Sequence, residues 1–255
     1  MDSASDQTPL LPHHPTPRNP QTTEEPAQPS QTRQLHHATP SFNLSRLAIP
    51  ALWTILIAGS ALFAHYILSR FLLRPPSDWH NRITDFSKYW YGLWSIGIHF
   101  VAGFIITVIG PLQISNRIRR WKPIIHRWSG RLYLVSSVIV SIAGMTYVVT
   151  SRTVGGINMD ICFFTFGACF LYCSIRTWKT IRVKQYALHR EWAIRTFTLG
   201  IGSLLYRFYV FPVKMHEHFG LSWEAQYLWL NLAGWFMFLP NIVIVEPYLW
   251  WTRKA

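Results

Sequence analysis

The chain has 255 residues, 50% hydrophobic, 16% aromatic and only 14% charged, with 24 Lys+Arg against 11 Asp+Glu and a formal net charge of +13. Average soluble domains carry about 25% charged residues, so these charges are too sparse for a water-facing surface. Three cysteines exclude a disulfide-built secreted scaffold, and the apolar content excludes an acidic disordered chain.

Residues 1–45 hold 8 of the 16 prolines among many Gln, Thr and Ser. Such a segment cannot bury enough surface to offset its ordering entropy and is expected to be a disordered cytosolic tail. No short apolar core with a small-residue cleavage site starts near Met1, so no signal peptide is expected. Asp6 with Leu10-Leu11 is a chance likeness to a dileucine sorting signal. The doublets His13-His14 and His36-His37 are read as tail composition rather than metal sites.

Six apolar stretches follow, at 47–69, 91–114, 131–150, 158–176, 192–213 and 226–250. Each is near the roughly 20 residues that cross a hydrocarbon core. Backbone in lipid must satisfy its own hydrogen bonds, so each is predicted helical. The expected fold is all-α, a polytopic membrane bundle of about six transmembrane helices over residues 46–255.

Cationic residues set the sidedness of such a bundle. The tail, the 115–131 and 176–195 loops and the C-terminus hold 17 of the 24 Lys+Arg. Both termini are therefore expected in the cytosol, with the chain in the endoplasmic reticulum or another endomembrane. The excess charge reads as a topology signal and an anionic-lipid surface, so lipid is an expected partner and nucleic acid is not. Trp79, Trp90, Trp94, Trp223 and Trp229 with Tyr91 fit one interfacial belt, and Trp121, Trp128, Trp178, Trp192, Trp250 and Trp251 the other. Phe104, Phe163, Phe164, Phe166, Phe170, Phe197, Tyr206, Phe208 and Tyr209 remain to line an interior cavity.

Ionisable side chains at membrane depth are functional candidates. His99 lies eight residues into the second stretch, roughly 12 Å below its boundary at 1.5 Å per residue. Arg207, Asp160 and His65 lie at comparable depths, so these four could form one polar cluster. The structural alternative pairs Asp160 with Arg207 and lets His99 bond a neighbouring helix. A second group, Gln113, His126, Arg131, Tyr133, His189, Arg190, Glu191, Arg195 and Glu246, gathers at the cytosolic ends. There a polar head group could dock while its tail lies in the bundle; Glu191 and Arg195 are spaced for an i,i+4 ion pair.

Other chemistries are weakly signalled or absent. Cys162, Cys169 and Cys173 share a helix stripe without zinc-type spacing and read as packing thiols, with no metal expected. The sequence has no Walker loop, dinucleotide glycine fingerprint, Gly-x-Ser-x-Gly or His-Glu-x-x-His.

The run Gly110-Pro111-Leu112-Gln113, then His126-Arg127-Trp128-Ser129-Gly130-Arg131-Leu132-Tyr133, continues with His189-Arg190-Glu191-Trp192-Ala193-Ile194-Arg195 and Arg207, with His99 before it. Over about residues 90–215 it resembles a family of polytopic membrane proteins of unknown function. The tail, first helix and sixth helix fall outside that likeness. Some fungal members resemble membrane-bound terpene cyclases of meroterpenoid pathways, which act on farnesylated aromatic or similar prenylated intermediates. The resemblance implies a hydrophobic prenylated substrate, no cofactor, and protonation-initiated cyclisation. Such a reaction needs an acid, aromatic faces for the carbocation, a dry pocket and a final base. His99, Asp160 and Arg207 are the expected catalytic residues, with Glu246 as a second acid if burial keeps it neutral. Gln113, His126, Arg131, Tyr133, His189 and Arg195 are expected to bind substrate.

Two alternatives stand beside this one. One is a b-type haem oxidoreductase using His65, His99, His216 and His218 on one side and His126 and His189 on the other. His126 and His189, however, are expected in loops. The other is a transporter or assembly protein, whose usual signs, inverted repeats and helices broken at the midplane, are not read in the sequence.

Overall fold

The computed structural model describes residues 44–79, 90–153, 155–214 and 222–254, and those residues contain helices and no strand. The expected tail, with its histidine doublets, lies outside them, as do His216 and His218. Among the described residues nine α-helices follow one another: α1 Leu44–Ile67, α2 Trp90–Ile114, α3 Asn116–Trp121, α4 Pro123–Ser151, α5 Gly156–Arg182, α6 Tyr186–Gly200, α7 Gly202–Lys214, α8 Trp223–Phe236 and α9 Leu239–Lys254. A π turn, Leu68–Leu72, prolongs α1 and brings Phe71 inward.

Five helical spans are long and apolar enough to cross a membrane: Ala48–Leu72, Gly92–Ile114, Pro123–Ser151, Gly156–Arg182 and Trp223–Lys254. The expected span at 192–213 is present as α6 followed by α7, each too short alone. α2, α4 and α5 are the central helices, and large apolar side chains such as Leu62, Val101, Ile139 and Ile161 face outward, as a lipid-facing surface requires. Alternation of direction brings the ends Ile114, Pro123, Arg182, Tyr186 and Lys254 to one face, the basic face.

Two expectations about irregular backbone are corrected here. First, the basic segments 115–131 and 176–195 are mostly helix. α4 begins at Pro123, whose fixed φ suits a first turn, and α6 follows Gln185, so His126 and His189 stand on helices. Second, two spans are interrupted, at Ile201 and at Met237–Phe238. Neither break has a proline at its centre. The first lies between Gly200 and Gly202; the second precedes Pro240, which lacks an N–H and crowds the preceding turn.

The two breaks pack on each other. A Cβ on Gly202 would lie 3.2 Å from the Met237 carbonyl oxygen and 3.2 Å from Phe166 Cε2. The Asn241 amide donates to the Met237 carbonyl at 2.8 Å and to the Thr198 carbonyl at 3.4 Å. The Ile201 N–H still reaches Phe197 O at 3.1 Å, and Leu205 N–H reaches Ile201 O at 3.0 Å. The backbone therefore bends while its polar groups stay satisfied, as an apolar surrounding demands.

Gly202→Ala must push against backbone and a packed ring, so it is expected to destabilise the bundle by about 1–3 kcal/mol. Gly103→Ala, whose Cβ would meet only Val140 Cγ2 at 3.9 Å, should be close to neutral. Thermal unfolding of both variants in the same detergent checks this; equal melting temperatures would contradict the account of the break.

Candidate functional site

Inside the bundle is a cavity of about 450 Å³, within the roughly 300–1,000 Å³ range of small-molecule sites. Its wall carries many aromatic rings: Phe63, Tyr66 and Phe71 from the first span, Phe100 from α2, Tyr147 from α4, Phe163, Phe166 and Phe170 from α5, and Tyr206 from α7. Phe71 stacks on Phe100 at 4.0 Å between centroids, and Phe163 meets Tyr206 edge-on at 5.4 Å. Gly200, Ser203 and Met237 place both helix breaks along it.

The interior rings were partly legible. Phe163, Phe166, Phe170 and Tyr206 line the cavity as expected, whereas Phe164, Phe208 and Tyr209 face outward, 45%, 55% and 36% exposed. Phe104 and Phe197 do not line it, and Phe63, Tyr66, Phe71, Phe100 and Tyr147 were missed. The spacing of Phe63, Tyr66 and Ile67 marks one face of α1 and was the available signal; the π turn that adds Phe71 leaves none.

Two of the four membrane-depth candidates line this cavity. His99 Nδ1 is 2.9 Å from the Val140 carbonyl oxygen on α4. Donating there leaves Nε2 as the acceptor of a neutral ring. Gly144 allows the approach, since a Cβ there would lie 2.9 Å from His99 Nδ1. Arg207 lies over Tyr66 at 5.2 Å, Phe63 at 5.9 Å and Tyr206 at 6.0 Å. Its Nε is buried without a hydrogen-bond partner, and among the described residues no carboxylate pairs with it. Cation–π contacts contribute about 0.5–2 kcal/mol each, against several kcal/mol for desolvating an ion.

Asp160 is placed elsewhere, and the expected Asp160–Arg207 pair is not formed. Its carboxylate accepts from Thr153 N–H at 2.8 Å and Thr153 Oγ1 at 2.7 Å, and pairs with Arg152 at 3.1 Å. Arg152 has φ 62°, so Asp160 fixes a bent α4–α5 connection. His65 is exposed on α1 and does not line the cavity. The four residues thus do not form one cluster.

The basic-face group also separates from the cavity: none of Gln113, His126, Arg131, Tyr133, His189 and Arg195 lines it. Gln113 donates to Ser129 Oγ at 2.7 Å, and a Cβ on Gly130 would lie 2.9 Å from Gln113 Oε1. The Tyr133 ring packs near Gly110 and Gly200 in the main core. His189 Nδ1 is 3.1 Å from the Thr177 carbonyl oxygen. His126 Nδ1 is buried without a partner. Arg131 is exposed, stacked over Trp128 at 4.8 Å. Gln113, Tyr133 and His189 thus link α2, α4, α5 and α6.

Ion pairs tie α6 to α9. Arg195 donates to both Glu246 oxygens at 2.6 and 2.8 Å, the fork geometry of a strong charge-assisted pair. Arg253, seen in the sequence only as a terminal charge, donates to both oxygens of Glu191. The i,i+4 pair Glu191–Arg195 is the loosest contact at 3.7 Å. Sequence spacing found it because it is local; the stronger partners arrive from the last helix.

The Arg253 hydrogen bonds hold the Glu191 carboxyl below its ordinary range, outweighing an opposing desolvation effect. A depressed carboxyl pKa contributes stability that is present above the unfolded pKa and lost as pH falls through the folded one. The melting temperature should therefore drop on acidification below the ordinary carboxyl range, and Glu191→Gln should flatten that drop. An acid branch identical in wild type and variant would refute the assignment.

The family described as "Predicted membrane protein (DUF2306)" matches residues 96–250. That extent corrects the expected likeness at its far end, since the last span lies inside it and supplies Glu246 to Arg195. No curated protein and no solved structure matches the chain. With more than half its length matched, and a bundle of membrane-length helices, the chain belongs to the DUF2306 family of predicted membrane proteins.

Proposed function

We propose that the chain is an integral membrane terpene cyclase that folds a prenylated, meroterpenoid-type intermediate in the aromatic cavity and releases a cyclic isomer. The observation that carries this reading is the cavity itself, with many aromatic rings in its wall and His99 as the one imidazole among its described lining residues, a group that ordinarily exchanges a proton near neutral pH. Asp160 and Glu246, expected as acids, are committed to Arg152 and Arg195. The proton work therefore falls to His99. As imidazolium it gives a proton to an epoxide oxygen or terminal olefin; ring closure passes the cation along the polyene, and the final deprotonation returns a proton to the imidazole. Ring faces such as Phe100, Phe166 and Tyr206 stabilise the intermediate cations, and the surrounding helices exclude water. Both termini lie in the cytosol of an endomembrane in this reading, with the basic face toward anionic lipid.

The haem alternative has one observation in its favour. His126 and His189 stand near the starts of α4 and α6 at the basic face, and His189 anchors Nδ1 on a carbonyl, as ligating imidazoles do. The cavity presents one imidazole among its described lining residues, half of a bis-histidine set.

Microsomes carrying the chain and given prenylated phenols or their epoxides should form a cyclic product of unchanged mass. His99→Ala should lower the rate by about 10²-fold or more. Asp160→Asn and Glu246→Gln should keep the chemistry while melting earlier. Lack of conversion across the panel, or full activity in His99→Ala, would overturn the cyclase reading. A Soret band in the purified protein would move the assignment to haem.

A further inference from the structure

Among the described residues Arg207 has no ion-pair partner, and it lines a chamber rich in aromatic rings. The cavity holds a guanidinium whose Nε is buried without a partner. The nearest groups over it are the rings of Tyr66, Phe63 and Tyr206. The carboxylate at comparable depth, Asp160, is occupied by Thr153 and Arg152. Ring faces offset only part of the desolvation of a cation. A fixed positive charge is also a poor neighbour for a carbocation, since like charges repel strongly where the dielectric is low. For the chamber to host cationic cyclisation, something must neutralise Arg207, and among the described residues no protein group does.

We infer that the ligand supplies the missing charge: the cavity takes an amphiphile with a carboxylate at one end, held by Arg207, and an isoprenoid body along the aromatic wall. The inference rests on the proposed function and narrows its substrate class to acids. The free Nε sets the approach, because a carboxylate bridging Nε and one Nη makes two parallel charge-assisted bonds. His99 lies in the same cavity and within Coulombic reach of Arg207. Arg207 precedes the end of α7 by seven residues, and His99 follows the start of α2 by nine, a similar depth at about 1.5 Å per residue. The charged end of the ligand therefore sits at the level of the imidazole, and the polyene extends past Phe100 and Phe166. The anion is positioned by Arg207 and takes no part in bond making.

Calorimetric titration of the purified full chain in nanodiscs tests this with two probes of nearly equal shape, farnesoic acid and its methyl ester, at about pH 8, where the acid is ionised. The acid should bind at least about tenfold more tightly than the ester. Arg207→Gln should bring the ratio to about one, chiefly by weakening the acid. Equal binding of the two probes to wild type, or an acid preference that survives Arg207→Gln, overturns the inference. Should Arg207→Gln fail to fold, Arg207→Lys decides: the lost fork should lower the ratio, and an unchanged ratio overturns the inference. An acid preference in a chain that cyclises nothing would leave the anchor standing and remove the cyclase. Cyclisation of neutral substrates with no acid preference would do the reverse.

Discussion

Without water at membrane depth, every polar group in this bundle must find its partner inside the protein. That constraint explains the helices and also most of their side-chain chemistry. Ser137, Ser141, Ser174 and Thr177 return their hydroxyls to carbonyls one turn back on their own helices. Thr177 also meets Thr196 across α5 and α6 at 2.9 Å, and Asn158 meets Asn231 across α5 and α8 at 2.8 Å. Against this background, two buried side-chain nitrogens without partners, His126 Nδ1 and Arg207 Nε, stand out. Of the two, Arg207 lines the cavity, and the proposal of an anionic ligand rests on it.

The same constraint gives the run from Gly110 to Arg195 a physical meaning. Gly110 and Gly200 make room beside Tyr133, Gly130 receives Gln113, and His189 bonds a carbonyl of α5. Arg195 closes the last span onto α6 through Glu246. These contacts set the spacing of the helices, and the spacing leaves the chamber open. These residues thus act on the chamber at one remove, through helix positions, while the groups facing the chamber are His99, Arg207 and the rings. The two helix breaks belong to the same construction. Bent backbone is tolerated at that depth because Asn241 satisfies the carbonyls the bend frees.

Fold class and the five long spans were legible because a run of about 20 apolar residues has few alternatives to a helix; the sixth expected span is instead two short helices, α6 and α7. His99 and Arg207 were legible because ionisable groups are rare in such runs. What composition does not encode is which way a side chain points and what comes from far along the chain. Phe164 and Phe166 are near neighbours in sequence, yet one faces outward and the other lines the cavity. Glu191 suggested Arg195, four residues away, while its main partner is Arg253. Asp160 suggested Arg207 at equal depth and instead caps its own connection through Thr153. The break at Ile201 gave only a Gly-x-Gly signal, too common to distinguish from ordinary helix packing.

The central claim, that a prenyl chain lies in the chamber between His99 and the α5 rings, is tested most directly by photoaffinity labelling. A farnesyl carboxylate with a diazirine on its terminal isoprene unit would be irradiated with the purified chain and the adducts mapped by peptide mass spectrometry. The account predicts adducts on cavity residues such as Phe100, Phe166 or Tyr206, suppressed by excess unlabelled acid. Labelling confined to outward-facing residues such as Leu62, Ile161 or Phe164, and insensitive to competitor, would contradict it.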